Sequence, residues 1–134
     1  MAARNKYGNK KFVDQHGTRW DSEKEYYRWV YLKQALQQGK ISNLERQVVF
    51  ELLPNIKEEQ TVQLKTKTKT VIKTVQHRVT YHADFVYVKD GERIVEDVKG
   101  HPRLLTAEYL LKKKMMRALL GLEIKEVYNE TDKI

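Results

Sequence analysis

The chain has 134 residues, a formal charge of +8 at pH 7 and no cysteine. That length suits one domain with a real core, leaves no room for a recognition domain beside a catalytic one, and the missing thiols exclude a disulfide framework or a thiolate zinc site. No apolar run approaches ~18 residues, and the first residues, Met1-Ala2-Ala3-Arg4-Asn5-Lys6, lack an apolar signal core, so neither a membrane partner nor secretion is expected and the location expected is the cytoplasm.

Residues 1–19 carry five Lys or Arg against one acid and read as a basic arm leading into a short β segment, with Lys6, Lys10 and Lys11 as candidate phosphate contacts. A helix is expected from Asp21–Glu25 to about Gln38, with Gly39 as its terminating residue. Ser22 and Glu25 stand at capping-box spacing. At helical steps Glu25 falls amid a stripe of Trp29, Leu32 and Leu36, whereas Glu23 points about 160° away. A carboxylate on a core-facing stripe has to be paired or bind a metal, because a bare buried charge is too costly.

Arg46–Leu53 reads as a strand ended by Pro54. Gln47, Val49 and Glu51 share one face, so Gln47 is either a substrate-orienting amide or an ordinary sheet residue. Residues 61–79 form a Lys/Thr-rich β-ribbon in which Lys65, Lys67 and Lys69 would line one side of an extended chain. Such lysines grip a duplex backbone or guard a sheet edge.

Tyr81–Gly100 carries the strongest local signal. Asp90-Gly91 between two alternating runs predicts a two-residue hairpin turn. That register pairs Lys89 with Glu92, Val86 with Val95, Asp84 with Asp97 and His82 with Lys99. Like charges directly opposed on a strand pair are destabilising, and a divalent cation held by both carboxylates would compensate. Oxygen-only ligation favours Mg²⁺ or Mn²⁺. Lys99 lies on the same face as Asp97, while Glu96 lies on the other with Phe85 and Val98 and is given no metal role.

After Pro102 a helix is expected over about Leu105–Leu120, burying Leu111, Met115, Ala118 and Leu119. Lys113, Lys114 and Arg117 lie opposite, while Lys112 at the stripe's edge either reaches toward the hairpin face or snorkels with its stem on the core; Lys112 and Lys113 are further candidate phosphate contacts. Leu122–Tyr128 closes as a strand. Segments 1–19, 57–78 and 99–117 together hold +13, so the remainder nets −5, of which −3 falls in 79–98. An acidic spot among basic segments suits a metal-dependent enzyme acting on a polyanion.

An Asp, twelve intervening residues and then Asp-Val-Lys, here Asp84 and Asp97-Val98-Lys99, resembles the PD-(D/E)XK nucleases, with Ala83 where their leading Pro stands. The chain looks like a small phage-encoded family of that superfamily through Lys6-Tyr7-Gly8, Asp21-Ser22 with Glu25, Ala83-Asp84-Phe85, Glu96–Gly100 and Lys112-Lys113-Lys114. The resemblance implies one α/β domain over residues 1–134 with a restriction-endonuclease-like core, a central mixed β-sheet flanked by helices in the order α-β-β-β-α-β. It also implies a Mg²⁺-dependent endonuclease acting on duplex or branched DNA, like phage Holliday-junction resolvases, and by analogy a homodimer. Asp84, Asp97 and Glu25 would hold the metal, and Lys99 would complete the catalytic set. The alternatives are a non-catalytic nucleic-acid-binding protein and the nuclease subunit of a larger recombination or transposition complex.

Overall fold

The computed structural model of the chain describes residues 11–134. Lys6 and Lys10 therefore lie outside the described residues, while Lys11 is exposed at the start of the arm's visible part. There β1 (Phe12–Val13) pairs antiparallel with β2 (Arg19–Trp20). Asp14 closes the loop between them by accepting the His16 and Thr18 amides and the Trp20 indole Nε1–H.

Helix α1 spans Glu23–Gln37, capped by Ser22 Oγ, which accepts the Glu25 amide at 3.1 Å. Gly39 at φ +74° ends it, with Lys40 N–H donating back to the Ala35 carbonyl, the closing bond of a Schellman turn. Its buried residues are Glu25, Arg28, Leu32 and Ala35. The expected stripe was right at Glu25 and Leu32 and wrong at Leu36, which is 38 % exposed. The helix is turned because Arg28, charged and unpromising in sequence, is drawn into the core by Glu96.

Six strands follow: β3 (Ser42–Leu53), β4 (Ile56–Gln63), β5 (Thr68–Gln76), β6 (Val79–Lys89), β7 (Glu92–Val98) and, after helix α2 (Ala107–Leu120), β8 (Ile124–Val127). The main sheet runs β3-β6-β7-β8, antiparallel except for the parallel β7–β8 pair that α2 connects. This is an α/β fold with a mixed sheet and two helices, in the order α-β-β-β-α-β when the β4–β5 hairpin and the short β1–β2 pair are set aside. Asp90 and Gly91 both have positive φ, +52° and +78°, as a type I′ turn requires, and the register runs from Lys89–Glu92 to Phe85–Glu96.

The ladder stops there. Beyond it β7 leaves β6 and follows β8, pairing Asp97 with Glu126 and Val98 with Val127. Neither of the two outer expected pairs is formed: Asp84 and Asp97 lie beyond the last registered pair, Phe85–Glu96, and His82 lies opposite Val49 on β3 while the Lys99 amide bonds the Val127 carbonyl.

The sheet has a core on each side. On one, Leu32 and Ala35 of α1 pack with Trp20, Ile41, Phe85 and Tyr87, and Trp29 stacks on Phe85 at 5.8 Å between centroids, worth about 1 kcal/mol beyond area burial. On the other, Tyr109 and Met116 of α2 pack with Phe50, Leu52, Tyr81, Ala83, Val86, Val95 and Ile124. The expected α2 stripe is thus corrected: Leu111 and Leu119 are more than half exposed, Ala118 is exposed and Met115 only partly buried. The sheet meets α2 on the Tyr109–Met116 line instead, where Tyr109 finds a partner for its hydroxyl in Glu126 at 2.7 Å.

Strands β4 and β5 form a two-stranded ribbon that prolongs the β3–β6 pair, with Asn55 Oδ1 accepting the Arg78 amide at the junction. Its turn is closed by Leu64 N–H donating to the Lys67 carbonyl. The Lys/Thr tract is therefore not one continuous strand. Lys65 and Lys67 sit in the turn and only Lys69 is in β5, all exposed, so the three ammoniums gather at the tip instead of lining one side. Among the described residues no helix is long and apolar enough to cross a membrane.

Candidate metal centre

A break in strand alternation makes the site. On β6, Phe85 and Tyr87 face α1, yet Tyr81 and Ala83, of the same parity, face α2. On β3, Leu44 belongs to the α1 core and Val48, Phe50 and Leu52 to the α2 core. Both strands invert at the same rung, where Gln47 lies between the registered pairs Arg46–Phe85 and Val48–Ala83 and so opposite Asp84. Gln47 has φ +54°, a left-handed conformation that a strand interior seldom contains.

Three carboxylates from three elements lie near this rung and act on one another electrostatically. Glu25 is only 3 % exposed, and its side chain turns away from its own helix cap. Its Oε1 accepts Gln47 Nε2 at 2.9 Å, and the same nitrogen reaches Asp84 Oδ1 at 3.5 Å. Asp84 Oδ2 accepts the Val98 amide at 2.8 Å, filling the place of the ladder bond lost where β7 diverges. Asp97 accepts the Tyr81 hydroxyl at 2.6 Å and pairs with Lys99 Nζ at 3.1 Å. Lys99 in turn rests over the Tyr109 ring at 3.7 Å.

Crowded negative charge shows in the acidities. Burial pushes Glu25 up to about 7, with Asp21 next; Arg46 and the Gln47 hydrogen bond oppose them, and Asp97 adds the smallest push upward. Asp84 is raised well above the usual carboxylate range, first by burial and then by Asp97 and Glu25, more than the Val98 amide and Lys99 offset. Burial and Asp97 also hold the Tyr81 hydroxyl above its ordinary value. Arg46 is the nearby cation that opposes these charges at Glu25. Its guanidinium lies 3.6 Å over the Trp20 ring, and among the described residues its buried Nε has no partner.

Donor type and charge fit a hard divalent cation: oxygen ligands, three acids and little compensating positive charge. In the present arrangement, among the described residues, no three His, Asp or Glu side chains are gathered closely enough to hold an ion together, since Asp97 is turned to Tyr81 and Lys99. None of the three carboxylates lines the cleft of about 590 Å³ formed by Tyr31, Gln38, Lys40, Lys89 and Ile134. The acidic cluster lies apart from it, at the splayed ends of β6 and β7.

Of the residues singled out in sequence, Glu25, Asp84, Asp97 and Lys99 come together, with Gln47 among them. The basic residues do not. Lys112 pairs with Glu108 at 2.9 Å instead of reaching the hairpin, and Lys113 pairs with Glu126 at 2.9 Å. Tyr81 and Tyr109, which hold Asp97 and Lys99, were not foreseen. Strict alternation puts Tyr81 with Phe85, and only the inversion moves it to Asp97. For Tyr109 no sequence signal existed.

The family model described as "Protein of unknown function (DUF1064)" matches residues 4–130, and the chain belongs to that family. No curated protein and no solved structure matches it.

Proposed function

We propose that this DUF1064-family protein is a metal-dependent DNA endonuclease with a restriction-endonuclease-like core, hydrolysing phosphodiester bonds in branched or duplex DNA of phage origin. The observation that carries the reading is that Glu25 from α1 and Asp84 from β6 share the Gln47 amide nitrogen while Asp97 from β7, paired with Lys99, acts electrostatically on both. The strand order and the parallel last pair agree with such a core.

Glu25, Asp84 and Asp97 would hold Mg²⁺ or Mn²⁺, which supplies Lewis-acid polarisation of a phosphoryl oxygen and a lowered pKa of water. Lys99 would keep a cation beside Asp97, where it offsets the negative charge that builds on the non-bridging phosphate oxygens as the water oxygen bonds to phosphorus and the P–O bond to the leaving sugar oxygen breaks. Tyr109 and Asp97 fix its ammonium from two sides. The exposed lysines of the ribbon tip bind backbone phosphates and carry no base-specific readout. Incubating the purified protein with branched, duplex and single-stranded DNA, with Mg²⁺ and with chelator, tests the reading: cleavage that requires Mg²⁺ supports it, and intact DNA under every condition overturns it.

A further inference from the structure

We propose that Gln47 is a positioning residue that holds Glu25 and Asp84 together for a divalent cation, an inference that rests on the nuclease reading above. Its backbone is the first ground. A non-glycine residue at φ +54° inside β3 is strained, and such strain persists where the surroundings over-determine it, characteristically at functional sites. The ladder does not explain it, because the pairs on either side, Arg46–Phe85 and Val48–Ala83, stay in register.

The side chain is the second ground. Gln47 is exposed as a residue, so its amide could be hydrated at no cost. It turns inward instead, where its one amide nitrogen donates to Glu25 Oε1 at 2.9 Å and lies 3.5 Å from Asp84 Oδ1, at the outer limit of a hydrogen bond, so that it stands between carboxylates of different elements. A neutral donor suits this place. It draws two like charges together without cancelling them, so their attraction for an ion is kept.

The third ground is the rung itself. The inversion that brings Tyr81 to the Asp97 side occurs at Gln47 and Asp84. One left-handed residue thus brings the amide, the carboxylate opposite it and the helix carboxylate into contact.

The test is calorimetric titration of Mn²⁺ into the full chain, with thermal melts of the metal-free protein, for wild type, Gln47→Gly, Gln47→Asn and Asp84→Asn. Glycine takes positive φ freely, so Gln47→Gly should melt at or above the wild-type temperature while binding Mn²⁺ about 10–100-fold more weakly, the usual effect of losing a group that orients metal ligands. Gln47→Asn keeps an amide and tolerates the backbone, and should recover part of the affinity. Wild-type affinity in Gln47→Gly, or an affinity loss that merely tracks a lower melting temperature, overturns the inference and leaves the nuclease reading standing. A wild type that takes up no Mn²⁺ overturns both.

Discussion

The carboxylates of Glu96 and Asp97, neighbours on β7, are held on opposite faces of the sheet by unlike partners. Glu96 is completely buried under α1, where Arg28 Nε and a terminal nitrogen reach its two oxygens at 2.8 and 2.7 Å and the Tyr87 hydroxyl adds a third bond. Arg28 extends the clamp by donating to the Glu130 and Asp132 carbonyls, tying helix, sheet and the 130–132 segment together. Asp97 faces α2, where among the described residues its carboxylate accepts the Tyr81 hydroxyl and pairs with Lys99. The first arrangement saturates its acid, while the second adds to a surplus of negative charge.

Breaking the Glu96 clamp should therefore cost folding and nothing else. Glu96→Gln or Arg28→Met leaves one member of a buried ion pair uncompensated, which costs about 3–5 kcal/mol. Urea unfolding should show that loss, with Mn²⁺ affinity unchanged wherever the variant is folded. Weaker ion binding by folded Glu96→Gln would move Glu96 into the metal centre.

Asp84→Asn and Asp97→Asn should each lower Mg²⁺-dependent cleavage by at least about 10²–10³-fold, the scale of losing a group that stabilises developing charge. Asp84→Asn should melt no lower than wild type without metal, because a buried like charge is removed and Asn can still accept the Val98 amide. A variant that cuts at the normal rate would show that its carboxylate has no part in the reaction.

Glu25, together with the likewise raised Asp84 that it acts on, should govern the pH dependence of stability. Its pKa is raised from the ordinary 4.5 to about 7, so the folded state holds this proton more tightly. The stability it contributes is complete below about 4.5 and is lost as pH rises through about 7. Between those limits the metal-free wild type should lose several degrees of melting temperature relative to Glu25→Gln. Mg²⁺ at pH 8 should restore the wild type but not the variant. Exposed Glu23 should behave as wild type when changed to Gln, and parallel pH curves for wild type and Glu25→Gln would return Glu25 to a capping role.

Replacing Lys65, Lys67 and Lys69 by Gln should weaken DNA binding by similar factors across unrelated sequences. Each lost phosphate contact lowers the salt slope of log K by roughly 0.9 on duplex DNA, up to about 3 in all, with the Mg²⁺ requirement untouched. An unchanged slope together with aggregation of the variant would assign these lysines to edge protection.

Much of the site was legible because it rests on local rules. Asp90-Gly91 announced the turn, and its register separated Asp97 from Glu96, although the direct Asp84–Asp97 pair it also implied is not formed. Helical phase likewise placed Glu25 inward and Glu23 outward. What failed was whatever depended on neighbours distant in sequence. The α2 stripe through Leu111 and Leu119 has good periodicity, but the sheet offers its contacts to Tyr109 and Met116. Nothing in the local sequence marks Arg28 as a core residue, because its partner Glu96 is 68 residues away. The strand inversion was invisible, since glutamine has no preference for positive φ that would announce it. The ribbon's turn was missed because Lys-Thr repeats carry no Asn-Gly or Gly-Pro punctuation.

The β4–β5 ribbon enters and leaves the main sheet between Leu53 and Val79, which are themselves a registered pair. Strands that are already adjacent can be joined by a short turn, so the ribbon is a detachable module. Lengthening it by paired residues, shortening it, or grafting another hairpin in its place should leave the carboxylates and both cores where they are. If the protein is the nuclease proposed above, what the ribbon binds can be exchanged without touching the carboxylates, with Leu53 and Val79 as the splice points.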